Sequence, residues 1–374
     1  MMEMKEMIEK IFNKNNILPF CFLLLPFMVT LMAAPLSRGI VTAHVSHQFA
    51  FFIFGVAMVT MLIKNKWISA FIGYVCLWVF FILTYGVMHP EMSAIVIKNA
   101  FNALTYIFIG SLIYVLVTKS KIDTETFYNL ICISALLQAA LSLCQYLWID
   151  PYLWLVNYGF HMAVPRLDPH TLTGTLGNNN FLAAYLAISL PFFFRKPWFY
   201  GLIMIVPCLI LANTASAVIP AIIGIMFFFY PKATKRIKIL TGSLLALFGL
   251  YYVLVYHPIS TDGNGRFPFW LEALDQLRYN LFTMICGMGP GAGWGRPFPL
   301  HNEWLQCLHQ YGAIGASLLV GYVLTAYRGN RMLFTAFIII LINMFGNYSL
   351  HLAPSAFIII LIAGLMEREK QNAI

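Results

Sequence analysis

The sequence predicts an all-α, polytopic integral membrane protein. We read one membrane domain over residues 1–374, about twelve transmembrane helices, both termini cytoplasmic, and two long outer loops at about 148–180 and 257–300. Three observations predict it. Sixty per cent of the residues are hydrophobic and only 10% are charged, whereas soluble domains carry about a quarter charged residues. Mean hydropathy is +0.78. Apolar stretches long enough to cross a hydrocarbon core recur along the chain, and lysine and arginine gather in every second gap between them.

In chain order the stretches run over 17–36, 48–63, 68–87, 100–118, 128–147, 181–194, 199–212, 214–230, 239–256, 311–327, 332–349 and 354–366. The first is long enough to span and too long for a signal-peptide core, so it reads as a retained helix. The region 181–230 is the densest. Two of its helices look short, and Asn213-Thr214-Ala215-Ser216 is the turn signal between the second and third.

With the N-terminus inside, the cytoplasmic segments hold Lys5, Lys10, Lys14, Lys64, Lys66, Lys119, Lys121, Arg195 and Lys196. They also hold Lys232, Lys235, Arg236, Lys238, Arg328, Arg331, Arg368 and Lys370, which makes 17 of the 23 basic residues. An error in helix count would scramble this alternation downstream. The net charge of +9 is therefore explained by orientation, and no basic run interleaved with aromatics points to nucleic acid. The seven cysteines (Cys21, Cys76, Cys132, Cys144, Cys208, Cys286 and Cys307) form no CxxC pair and sit mostly in apolar runs. They read as packing residues.

Six basic residues fall outside: Arg38, Lys98, Arg166, Arg266, Arg278 and Arg296. Five are arginine, whose planar fork of donors suits phosphate. Four lie in the two long outer loops, and long loops inside a membrane domain are uncommon unless functional. A site, on this reading, faces outward.

The first long loop carries Arg166, Asp168 and His170, then Gly174-Thr175-Leu176-Gly177-Asn178-Asn179-Asn180-Phe181. Glycine and asparagine at this density suit tight turns with amides turned to a ligand. The plainer reading is a capped helix start with Asn180 as N-cap. In the second loop, apolar residues at 267, 270, 271, 274 and 277 have helical spacing. They predict an amphipathic interfacial helix displaying Arg266, Glu272, Asp275 and Arg278 to water or headgroups. Gly287-Met288-Gly289-Pro290-Gly291-Ala292-Gly293-Trp294-Gly295 follows, and its glycines permit close backbone approach to a ligand. No strand precedes it and no Lys-Ser/Thr follows, which excludes a nucleotide P-loop.

His301-Asn302-Glu303-Trp304-Leu305-Gln306 then leads into Gly312-Ala313-Ile314-Gly315. A neutral histidine at the mouth of a membrane helix is suited to general-base work; His301 and Glu303 also read as an ordinary interface pair. His44-x-x-His47 lacks carboxylate or thiolate partners and reads as no metal site.

Taken together, these segments resemble the O-antigen ligase and O-antigen polymerase superfamily. The run from Gly174 through Leu182-Ala183-Ala184-Tyr185-Leu186 is similar to that family's GTFGNPNFLAAYL-type segment. Arg266 followed by Trp270, Ala273 and Gly287-Met288-Gly289-Pro290-Gly291 resembles its R…W..A and G.GPG pattern. His301-Asn302, nine residues and then Gly312-Ala313-Ile314-Gly315 resembles the ligase signature, and Asn347-Tyr348-Ser349-Leu350-His351 is a weaker echo. The matches fall in order over roughly 174–366, about half the chain.

The resemblance implies a metal-independent, inverting, glycosyltransferase-like enzyme with no cofactor, on the periplasmic face of a bacterial inner membrane. The donor it implies is an undecaprenyl-pyrophosphate-linked glycan. The acceptor is lipid A–core in a ligase, another lipid-linked repeat unit in a polymerase, or a protein hydroxyl in a protein O-oligosaccharyltransferase. On the residues matched, His301 becomes the base and Arg266 the pyrophosphate cation. Arg166, Asn178, Asn180, Arg278, Gly289, Gly291, Asn302 and Glu303 become substrate-binding. The chain departs from the pattern at Thr214-Ala215-Ser216-Ala217, where many members carry a Ser-Arg pair, and at Asn179, where proline is usual. Arg38 or Arg296 are the arginines available to compensate. Arg166 with Gly177, and Arg278 with Gly289, repeat a spacing seen in some polymerases. A transporter or flippase is the non-enzymatic alternative; against it, charged residues in mid-helix are nearly absent.

Overall fold

The computed structural model describes residues 31–32, 110, 113–114, 117–118, 122–147, 149, 161–162, 172–174, 176, 179–229, 266–289, 300–326, 328–346 and 353–373. Among them Leu31–Met32 (β1) pairs antiparallel with His161–Met162 (β2). The remaining elements are helical: α1 Thr124–Tyr146, α2 Asn179–Ser189, α3 Leu202–Ala212, α4 Ala215–Phe229, α5 Phe267–Leu277, α6 Leu281–Cys286, α7 Glu303–Thr325, α8 Arg331–Asn343 and α9 Ala353–Ala373. Two of these, α1 and α7, are long and apolar enough to cross a membrane, and α2, α3, α4 and α8 are shorter apolar helices.

The expected stretches at 128–147, 181–194, 199–212, 214–230, 311–327, 332–349 and 354–366 each meet a helix, with shifted ends. A short 3-10 turn, Leu190–Phe193, finishes the second of these, with Pro191 in its first turn. The fifth begins early, at Glu303, because Asn302 supplies the N-cap. The stretches 48–63, 68–87 and 239–256 lie outside the described residues. Within 100–118, Gly110, Ile113, Tyr114, Val117 and Thr118 are helical. One expectation fails: Leu31 and Met32 were to lie in a first helix over 17–36 but form a two-residue bridge. Hydropathy measures partition into lipid and is blind to such pairing.

The core centres on α2. Every side chain from Leu182 to Ser189 is buried, and the helix is packed against α1, α3, α4, α8 and α9. A helix apolar all round belongs inside a bundle. The tightest neighbours around it are α4 and α8, which approach at Gly224; a Cβ there would stand 2.4 Å from Ile339 Cγ1. Small residues at helix crossings let backbones close in this way.

The bundle has two distinct ends. At one, Arg195 pairs with Glu125, donates to Asn129 Oδ1 at 2.6 Å and lies over the Tyr128 ring. There Asn330 Nδ2 donates to Tyr128 Oη at 2.9 Å and Arg368 donates to the Ile122 carbonyl. Segments assigned by the charge pattern to one side of the membrane thus meet in space. The opposite end brings together Arg266, His301, Asn302 and Glu303.

Candidate functional site

Four helices begin at that opposite end, and the C-terminus of α8 ties three of them together. Arg266, the residue before α5, donates from Nη1 to the Gly346 carbonyl at 3.2 Å. The Glu303 amide, opening α7, donates to the Met344 carbonyl at 2.8 Å. Asn343 Nδ2 donates to the Ser216 carbonyl in the first turn of α4 at 2.6 Å. The fourth, α2, is tied in through Asn179 Nδ2, which donates at 3.3 Å to the carbonyl of Ala212, at the end of α3. Four helix N-termini at one end concentrate partial positive charge there.

His301 and Arg266, distant in sequence, share this end. His301 is half-buried with φ of 51°, a left-handed conformation in a non-glycine residue. Burial, and secondarily the Arg266 charge, lower its pKa from 6.5 to about 4. The imidazole is therefore neutral at neutral pH. Trp270 Nε1 of α5 donates to the Leu300 carbonyl at 2.6 Å, fixing the backbone immediately before His301. Asn302 caps α7, its Oδ1 accepting from the Leu305 amide at 3.0 Å. That oxygen holds the start of the helix. Glu303 is buried in the first turn of α7.

The glycine-rich turn has a structural role that the sequence reading did not assign. α7 is broken at Gly312, with φ of 62° and ψ of −160°. An unbroken helix would have the carbonyls of His309 and Gln310 accept from residues 313 and 314. Instead Met288 donates to the His309 carbonyl at 2.8 Å and Gly289 to the Gln310 carbonyl at 2.9 Å. The Gly289 amide, expected to approach substrate, is thus spent on the kink. Gly289 is buried, with φ of 95°.

Arg278 is not drawn into the cluster. It stands past the far end of α5 with its side chain 75% exposed, 3.9 Å from Asp275. The helix holds 11 residues, about 16 Å at 1.5 Å per residue, so Arg266 and Arg278 mark opposite ends. On α5, Ala273 and Leu277 are buried, while Phe267 and Leu271 are exposed. Arg266, expected on the polar display with Glu272 and Asp275, is half-buried instead. Asn180 is not an N-cap; α2 already includes Asn179, whose Oδ1 accepts from the Asn180 amide at 3.0 Å. Arg166, Asn178 and Gly291 lie outside the described residues, as do Arg38, Arg296, His44, His47 and 347–351.

Sequence reasoning missed several polar residues that build this end. Gln145 of α1 is buried. Its Oε1 accepts from the Thr173 and Gly174 amides at 3.2 and 2.9 Å, and its Nε2 donates to the Gly174 carbonyl at 3.0 Å. This holds the start of the Gly/Asn segment, where Gly174 has φ of 55° and a Cβ would lie 2.4 Å from Gln138 Oε1. Gln276 of α5 meets His309 Nε2 at 2.9 Å. A glutamine inside an apolar stretch was the available signal, since a buried amide requires partners. Among the described residues no three His, Cys, Asp or Glu side chains cluster as metal ligands.

No protein-family model matches the chain, and no curated protein matches it.

Proposed function

We propose that the protein transfers a glycan from an undecaprenyl-pyrophosphate donor to an acceptor hydroxyl, in the manner of an O-antigen ligase with lipid A–core as acceptor. One observation carries the reading: Arg266 and a neutral His301 lie at the same end of the bundle as four helix N-termini. A pyrophosphate leaving group needs donors where its charge develops, and an acceptor hydroxyl needs a base.

In the reaction, the His301 imidazole takes the acceptor proton. The acceptor oxygen bonds to the anomeric carbon on the face opposite the pyrophosphate. The bond from the anomeric carbon to the pyrophosphate oxygen breaks, its electron pair leaves on that oxygen with undecaprenyl pyrophosphate, and the configuration inverts. Arg266 and the helix N-termini hold the departing charge. No metal or cofactor takes part in the scheme. The chain takes twelve spans in a bacterial inner membrane, with both termini cytoplasmic and this end toward the periplasm. The separation of Arg195, Asn330 and Arg368 from Arg266 supports that sidedness.

The same site serves a repeat-unit polymerase or a protein O-oligosaccharyltransferase, and the product decides. Purified protein in liposomes with the lipid-linked donor and lipid A–core should yield capped lipid A–core. A ladder of lengthened lipid-linked glycan would assign a polymerase, and glycan on a co-reconstituted acceptor protein an O-oligosaccharyltransferase. Donor left unconsumed with every acceptor would remove the proposal in favour of transport.

A further inference from the structure

Thr214 sits between α3 and α4 and is the N-cap of α4: its carbonyl accepts from the Ala217 and Val218 amides at 3.1 and 3.0 Å. Its residue is 4% exposed, and among the described residues its buried Oγ1 has no hydrogen-bond partner. An N-cap threonine ordinarily turns its oxygen onto the second or third amide of its helix; this one does not. A buried hydroxyl without a partner is costly, and native proteins retain few. The Ala215 and Ser216 amides stand beside it in the first turn, where a helix offers donors without internal acceptors. Both residues are partly exposed.

The position is next to the site already described. A Cβ on Gly346 would stand 3.0 Å from Ser216 Cβ, and the Gly346 carbonyl is the one Arg266 grips at 3.2 Å. Gly346 thus links Arg266 to the first turn of a 15-residue helix whose N-cap carries an unused hydroxyl. Together they offer donors and positive potential but no acceptor of their own for the hydroxyl proton.

We propose that the N-terminus of α4 is a phosphoryl-oxygen subsite. In it the Thr214 hydroxyl and the Ala215 and Ser216 amides donate to one phosphate of a pyrophosphate, and Arg266 takes the other. The inference rests on the reading of this site as one for a pyrophosphate-linked donor. It gives the site two anion-holding elements although the 214–217 turn carries no arginine. The test uses the full chain in phosphatidylcholine nanodiscs and measures binding of undecaprenyl pyrophosphate and undecaprenyl phosphate. Thr214→Val keeps the side-chain shape and deletes the hydroxyl; Thr214→Ser keeps the hydroxyl.

Thr214→Val should weaken pyrophosphate binding about tenfold, as loss of one hydrogen bond to a charged group does. It should weaken the monophosphate much less, and Thr214→Ser should bind as the parent does. The ligand-free melting temperature of Thr214→Val should stay level or rise, since an unsatisfied hydroxyl has been removed. If Thr214→Val proves unstable, Thr214→Ala carries the same comparison. Parent-like pyrophosphate binding by the hydroxyl-less variants, with binding still lost in Arg266→Ala, would overturn the subsite and leave the proposed function standing. No pyrophosphate binding by the parent would remove both. A Thr214 dependence seen only when phosphatidylglycerol is added would move the subsite to a lipid headgroup and overturn its assignment to the donor.

Discussion

Gly287 and Gly312 press backbone on backbone. A Cβ on Gly287 would lie 2.5 Å from the Gly312 nitrogen, and a Cβ on Gly312 would lie 2.5 Å from the Gly287 nitrogen. Both have positive φ, 80° and 62°. This contact seats the turn after α6 in the break of α7 and so fixes the helix that begins just beyond His301. Either glycine changed to alanine meets backbone, which cannot rotate away as a side chain can. Gly287→Ala and Gly312→Ala should each lower stability by about 2 kcal/mol or more. Because they disrupt one contact, the double variant should lose less than the sum. Thermal unfolding in detergent checks this, and an unchanged midpoint in either single variant would contradict it.

The pH dependence of transfer follows from His301. Its pKa is lowered from 6.5 to about 4 by burial first and by Arg266 second. A base acts when neutral, so kcat/KM should hold constant down to about pH 5 and fall as pH drops through about 4. Arg266→Gln removes the smaller cause and should move that limb upward, though not all the way to 6.5. Bound pyrophosphate offsets the arginine charge, so the limb in kcat should lie above that in kcat/KM. An acid limb at 6.5 in the parent would refute the assignment of His301 as the base in this environment.

Trp270 acts on the same residue through the backbone. Its indole donates to the Leu300 carbonyl at 2.6 Å, and the next residue holds a left-handed φ. Trp270→Phe keeps the ring and deletes the donor. Transfer should slow roughly ten- to a hundredfold in kcat, the scale of a small misplacement of a catalytic group, with donor KM little changed. A change confined to KM would place Trp270 in donor binding instead.

Gln145 carries the Gly/Asn segment. Gln145→Ala leaves two amides and one carbonyl in the 173–174 turn without their partner. It should cost about 3 kcal/mol and expose the segment to limited proteolysis ahead of global unfolding. Cleavage no faster than in the parent would show that other contacts hold the segment.

The parts of this account that were legible in the sequence are those governed by periodicity and local chemistry. α1, α3 and α4 follow from apolar runs, whereas the early start of α7 at Glu303, capped by Asn302, did not show in the hydropathy of 311–327. Arg266 and His301 were singled out by residue type and spacing, and the fold sets them at one end. Sequence could not show that Gly287, Met288 and Gly289 would pack into α7, because the demand arises only once Gly312 breaks that helix. Nor could spacing foresee that Arg278 points away: α5 turns its Ala273 face inward, and burial of a small residue leaves no strong periodic signal. The roles of Gln145 and Thr214 were not assigned for a related reason, since their importance lies in partners gained or missing in space.

The central claim is that His301 performs base catalysis beside Arg266. Its most direct test is glycan transfer by His301→Ala, compared with the parent, in proteoliposomes supplied with undecaprenyl-pyrophosphate glycan and lipid A–core. The account predicts loss of transfer by a factor of about a hundred or more, with insertion and undecaprenyl pyrophosphate binding retained. Parent-like transfer by a well-inserted His301→Ala would contradict it.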